Sequence, residues 1–320
     1  MMQKRKILRS RETEDMMMKS LFLFDMTFWL YLAALVLYIG YLFARRPTMT
    51  LAPAGHLPDN FDERDGAWAT QLGQVATLVT IFGWMLNTGA LFTRAFERME
   101  HSGTFAPWSN QFEAMAYVSW AIILGYVLLE MRYKIKAVGA FVVGIGFIAM
   151  GAASLLPYRY QTAEPLVPAL NSYWIYIHVS VTLTSYAAFA MAGGLGVMYL
   201  FKERAERLGK TTGFYAAFPD LETIDELGYK AITVGFPMLA FGIILGAMWA
   251  NYAWGGYWSW DPKETWSLIV WLIYGAYIHA RMTRGWEGHK AAIYAVFGFL
   301  MVIFCFWGVN FLLSGLHAYA

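Results

Sequence analysis

The chain has 320 residues, 58% hydrophobic and 18% aromatic, with 14% charged and a mean hydropathy of +0.43. So low a charged fraction excludes an ordinary water-soluble domain, where about a quarter of residues carry charge. A net charge of +2 leaves no footprint for nucleic acid, and a single cysteine, Cys305, excludes an internal disulfide, a Cys-x-x-Cys exchange pair and a c-type cytochrome in this chain.

Residues 1–20 carry Lys4, Arg5, Lys6, Arg9, Arg11 and Lys19 and read as a mobile arm. The apolar run that follows ends at Arg45 and Arg46 without a small-residue cleavage site, so it reads as a first span, 26–43, rather than a cleaved signal peptide. Residues 45–70 hold three prolines and four acidic residues and read as a polar loop. Further apolar runs long enough for a bilayer fall at 72–92, 112–131, 138–156, 174–201, 229–249, 266–282 and 291–313. The expected fold is an all-α polytopic membrane protein with about eight transmembrane helices. It divides into an arm, first span and loop (1–70), accessory helices (71–156) and a functional core (157–320). Gly139, Gly144, Gly146, Gly151, Gly193, Gly194 and Gly196 supply the small surfaces that close helix packing in lipid requires. Pro237 is expected to kink the sixth span.

Basic residues collect on the cytoplasmic side. Arg132, Lys134 and Lys136 mark one loop, Lys202, Arg204, Arg207 and Lys210 a second, and Arg281, Arg284 and Lys290 a third. Span parity puts all three on one side, taken as inside, and the intervening loops outside. The same parity puts the N-terminus outside, against its own basic arm. Either that arm is an exception or the first run does not span.

The chain is organised around Trp254-Gly-Gly-Tyr257-Trp258-Ser-Trp260-Asp261-Pro262-Lys263-Glu264-Thr-Trp266, within the loop 250–266. It is too polar and too broken by Gly and Pro to cross hydrocarbon, so it is expected as an outward-facing aromatic shelf. Trp and Tyr gather at bilayer interfaces in any case, but a cluster this dense also suits a large planar aromatic ligand with a polar edge, haem first among them. Two histidines reach the level of the shelf from different spans, His178 at the start of the fifth and His317 after the eighth. Neutral imidazole is a favoured axial ligand of haem iron, which takes one on each face. Asp261 before Pro262, with Glu264 at capping-box spacing, is expected to start a helix. His279 lies about 20 Å deeper if that helix is regular, out of reach of the shelf. An ionisable residue at such depth is a functional candidate. Arg281 beside it is either a partner for a propionate or an inside anchor. His56, His101 and His289 read as loop residues.

The tryptophan-rich stretch resembles the WWD signature of the haem-handling proteins of cytochrome c biogenesis, and the chain from about residue 72 to 317 resembles the CcsA/ResC family. That resemblance implies a membrane subunit of a cytochrome c synthase, working with a CcsB/ResB-like partner. It implies His178 and His317 as axial ligands of haem b, with Trp254, Trp258, Trp260, Trp266 and Asp261 lining or supporting it. It also implies His279 in a second, intramembrane haem site completed by the partner. Apocytochrome c would bring a Cys-x-x-Cys-His motif, and the thioether bonds would form between its thiols and the haem vinyl groups. The membrane would be a bacterial cytoplasmic one, with the thylakoid as the alternative. The chain departs from the family in its long 45–70 loop and in Thr104, where a histidine often follows Ser-Gly. Competing readings are a WWD protein that hands haem to a separate chaperone, a b-type electron-transfer cytochrome, and an assembly scaffold without haem.

Overall fold

The computed structural model describes residues 2–44, 63–162, 166, 168, 171–210 and 213–315. Its elements in chain order are α1 (Met2–Ala44), α2 (Glu63–Ser102), α3 (Gln111–Tyr133), α4 (Gly139–Ser154), the single turn α5 (Tyr158–Gln161), α6 (Ser180–Arg207), α7 (Leu221–Trp254), α8 (Pro262–Arg284), α9 (His289–Ile303) and α10 (Val309–Leu312). No strand occurs among the described residues. The protein is an all-α polytopic membrane protein, as the composition required.

Among the described residues, seven helical segments are long and apolar enough to cross a bilayer. The remaining long helix, α8, has the 23 residues a span needs. Its Trp266, Trp271, Tyr274, Tyr277, His279 and Arg281 keep its mean hydropathy below the others. It packs between α7 and α9 and takes the place expected for the seventh of eight spans.

Helix α1 begins at Met2, so the stretch read as an arm continues directly into the first span. It runs antiparallel along α2. At one end Ser20 Oγ donates to Glu97 Oε2 at 3.3 Å, and at the other Tyr38 Oη donates to Thr77 Oγ1 at 3.4 Å. The first apolar run therefore crosses the whole bundle, entering at the end that carries the tryptophan-rich loop. Of the expected 45–70 loop, the segment from Glu63 on is already α2, while 45–62, with His56, lies outside the described residues.

Helix α6 is the hub, its span 72% buried against 22% for α7, because α3, α4, α7 and α9 all pack on it. Its glycines make this possible. A Cβ on Gly193 would come 2.6 Å from Phe299 of α9, and one on Gly196 would come 2.8 Å from the Ala292 carbonyl. Pro237 lies inside α7, which continues past it to Trp254.

Both ends of the bundle bury charge, and both pair it. At the loop end Arg94 meets Glu97 at 2.8 Å and Arg98 meets Glu113 at 2.9 Å, all four side chains buried. At the basic end Glu130 accepts from Tyr126 and Thr77, each at 2.7 Å, and pairs with Lys136.

Candidate functional site

Helix α7 stops at Gly255, which takes the left-handed conformation (φ +79°) and returns its N–H to the Asn251 carbonyl. Helix α8 starts at Asp261. The Asp261 carboxylate accepts from the Lys263 N–H at 3.0 Å, and Glu264 reaches back to the N–H groups of Asp261 (3.2 Å) and Ser259 (2.8 Å). The capping box read from the sequence is thus formed. Between these two caps the chain turns sharply, and Trp260 is held at φ +58°, a left-handed conformation unusual for a bulky residue.

Beneath the turn lies a cavity of about 1290 Å³, counting its open mouth. Trp254, Tyr257 and Trp258 form its roof. Ser109, Asn110 and Gln111 at the start of α3 and Lys263, Glu264 and Ser267 at the start of α8 give it polar walls. Leu183, Leu239 and Ile243 make its floor apolar, and Trp108 and Trp249 add indole faces. A large, mostly apolar hollow with a few converging polar groups is the usual form of a site for a sizeable organic ligand.

His178 lines this cavity. It sits in a π-helical turn, Ile175–Val179, that precedes α6. A second π-turn, Phe304–Gly308, precedes α10 and places Phe306 on the cavity wall. Such turns widen a helix locally and recur at functional sites. The imidazole lies half-buried against α7. Its Nδ1 is 2.8 Å from the Gly242 carbonyl, and the Trp249 ring meets it edge-on at 5.7 Å. A carbonyl oxygen only accepts, so Nδ1 holds the proton and Nε2 carries the lone pair that can coordinate a metal. Two glycines allow the approach. A Cβ on Gly246 would come 2.7 Å from His178 Cε1, and one on Gly242 would come 2.5 Å from Thr182 Oγ1. Gly242 and Gly246 form a Gly-x-x-x-Gly notch that receives His178 and Thr182, one turn apart on the neighbouring helix. The sequence reading passed over this notch, although its spacing is legible.

The other expected residues fall in different places. His317 lies outside the described residues; Gly315, two residues before it, packs at the turn, where a Cβ would meet Asp261 Oδ1 and come 2.9 Å from Pro262 Cδ. Trp254 and Trp258 line the cavity. Trp260 is 70% exposed and packs edge-on against Trp258 at 5.7 Å, and Trp266 packs inward on Phe304 at 4.4 Å. Asp261 is buried in its cap, next to the cavity rather than on its wall. His279 is exposed on α8 along a stripe with Leu272, Ala276 and Thr283, facing away from the bundle. Arg281 is held by Asp225 at 2.8 Å and stacks over Tyr229, which makes it an anchor within the chain. His289 pairs with Glu203 at 2.6 Å.

Lys263 is the residue of the motif whose role the sequence did not disclose. Its Nζ turns into the wall, where it donates to Asn310 Oδ1 at 2.5 Å and approaches the Phe306 carbonyl at 3.5 Å. Desolvation there lowers its pKa to about 8, with Asp261 opposing the shift. Asn310 Nδ2 donates to Gln111 Oε1 at 2.7 Å.

Residues 108–317 match the family described as cytochrome C assembly protein. The chain is 41% identical over 256 residues to the cytochrome c biogenesis protein CcsA of Guillardia theta, covering 75% of this chain and 83% of the relative. It is 43% identical over 270 residues to CcsA of Synechococcus sp. (strain CC9902), covering 77% and 86%. Among solved structures it shares the fold of the cytochrome c haem lyase CcmF, with a TM-score of 0.60 and 20% identity; 90% of this chain superposes on 46% of that one.

Proposed function

The chain belongs to the cytochrome c assembly protein family, acts in cytochrome c maturation, and from that premise we propose that it binds haem b as cargo in the cavity under the tryptophan-rich turn and presents it for attachment to apocytochrome c. The observation that carries this reading is His178, its Nδ1 proton on the Gly242 carbonyl and its ring on the wall of a cavity roofed by indoles. The roof of the hollow is aromatic, its floor is apolar, and its donor nitrogen is in the tautomer that ligates iron. His317 is the proposed opposite ligand, since the chain two residues before it already touches Asp261 at the turn.

His279 belongs to a different face. Exposed on the outward stripe of α8 with Leu272, Ala276 and Thr283, it is proposed to meet a CcsB/ResB-like subunit that completes a second haem site within the membrane. The loop lies at the end of the bundle opposite Arg132, Lys134, Arg204, Arg207 and Arg284, which supports an extracytoplasmic shelf in a bacterial cytoplasmic membrane, with the thylakoid as the alternative. The chain's contribution to the lyase reaction is orientation: the reacting thiols and vinyl groups come from apocytochrome and haem.

Purification with any co-purifying partner, followed by an absorption spectrum and a haem-to-protein ratio, tests the reading. His178→Ala should lower haem content, and added imidazole should restore part of it. Unchanged haem content in that variant would remove His178 as a ligand.

A further inference from the structure

The polar wall of the cavity has an order that begins at Lys263. An ammonium only donates, so Asn310 must turn its carbonyl oxygen to Lys263 and its NH₂ to Gln111. Gln111 must then offer its own oxygen to Asn310, and its Nε2 is left without a partner among the described residues although the side chain is only 6% exposed. A buried N–H group without an acceptor is costly and rare in a finished structure. Here it lies on the wall of a cavity. The N-termini of α3 and α8, each 23 residues long, end at the same wall and add the positive poles of their dipoles. The carboxylates nearby are already committed: Glu264 to the cap of α8, and Glu113 to Arg98.

We propose that this wall is a carboxylate-binding site, in which the Lys263 ammonium and the Gln111 amide hold an acidic group of the ligand between the starts of α3 and α8. The inference rests on the haem reading for the identity of the ligand. Haem carries both of its carboxylates on one edge of the ring, so such a wall would set which edge lies inward and, with it, where the vinyl edge lies. The site would therefore orient the reacting groups as well as retain the cargo.

The test uses the full-length protein in detergent, with haem b and its dimethyl ester titrated separately. The ester keeps the iron and the ring and removes the charge. Wild type should bind haem more tightly than the ester by roughly tenfold or more, the range of a charge-assisted hydrogen bond. Lys263→Met and Gln111→Leu should weaken haem binding and leave the ester unchanged, so that the discrimination collapses, while Lys263→Arg should keep it. Thermal unfolding of each variant checks that the fold is retained. Equal binding of haem and ester by wild type, with no effect of Lys263→Met, overturns the carboxylate site while leaving haem binding in place. Haem binding that survives His178→Ala but still depends on Lys263 overturns the axial ligand and supports this site. A wild-type protein that binds neither ligand overturns both.

Discussion

Each end of the bundle brings a lysine against a buried polar group, and the two lysines are used differently. At the basic end Lys136 meets Glu130, and Thr77, Tyr38 and Tyr126 fill the remaining valences of that carboxylate. At the loop end Lys263 meets a neutral amide and a carbonyl beside a hollow. A charge neutralised where it stands holds helices together. A charge held only by neutral groups beside a cavity, in a row that ends at the unpartnered Gln111 amide, suits the proposed role of receiving an acidic group.

The comparison breaks most severely at Glu130. Glu130→Ala leaves the half-buried Lys136 and the hydroxyls of Thr77, Tyr38 and Tyr126 without their shared acceptor, a loss expected to cost about 3 kcal/mol. The midpoint of thermal unfolding should fall sharply, while the haem-to-protein ratio of the protein that remains folded should hold. A fall in that ratio without loss of stability would erase the distinction between the two ends. Next in size is Gly246→Ala, which places a methyl 2.7 Å from the His178 ring. Overpacking of this kind costs about 1–3 kcal/mol, and here the ring must leave its seat, so haem content should drop as in His178→Ala although no proposed ligand is removed. Absorption spectra of the two variants side by side check this. Asp261→Ala removes the α8 cap, worth about 1 kcal/mol. It should lower the unfolding midpoint modestly, and Asp261→Asn should recover most of it.

The gentlest probe is pH. The Lys263 ammonium titrates near 8, below its ordinary value, because its surroundings are dry. Between that value and its unfolded pKa the unfolded chain binds the extra proton, so this lysine makes the protein more stable as pH rises through 8. Haem affinity should move the other way, declining above pH 8 as the positive partner of the carboxylate disappears. The charged and titratable groups facing Lys263 are Cys305 and Asp261, with Tyr186 of α6 against that thiol. These and His178 are common to Lys263→Met, whose affinity should lack this decline. Titration of both proteins from pH 7 to about 9.5 separates the contributions.

Much of this was legible in the sequence because it is local. The capping box at Asp261, the run of indoles and the apolar spans are each set by neighbouring residues, and the structure forms helices where those residues imply. The long helix α1 was legible only in part, since its first turns carry polar residues without a packing signal. What could not be read joins residues far apart in the chain. Lys263, Asn310 and Gln111 become one hydrogen-bonded row only when α3, α8 and α10 converge. His178 could be singled out as a candidate from its position, but not its tautomer, because the oxygen that fixes it belongs to Gly242. The π-turns on either side of the cavity have no spacing rule by which to find them.

The partner of that imidazole has a consequence for release. A metal-ligating histidine passes its other ring N–H to a carboxylate or to a carbonyl, and a carboxylate raises its basicity more. Here the backing group is a main-chain carbonyl, which supplies direction without negative charge. On the proposed reading, such a histidine would hold iron in a defined orientation while remaining a more moderate donor than a carboxylate-backed one, which suits a load that must leave.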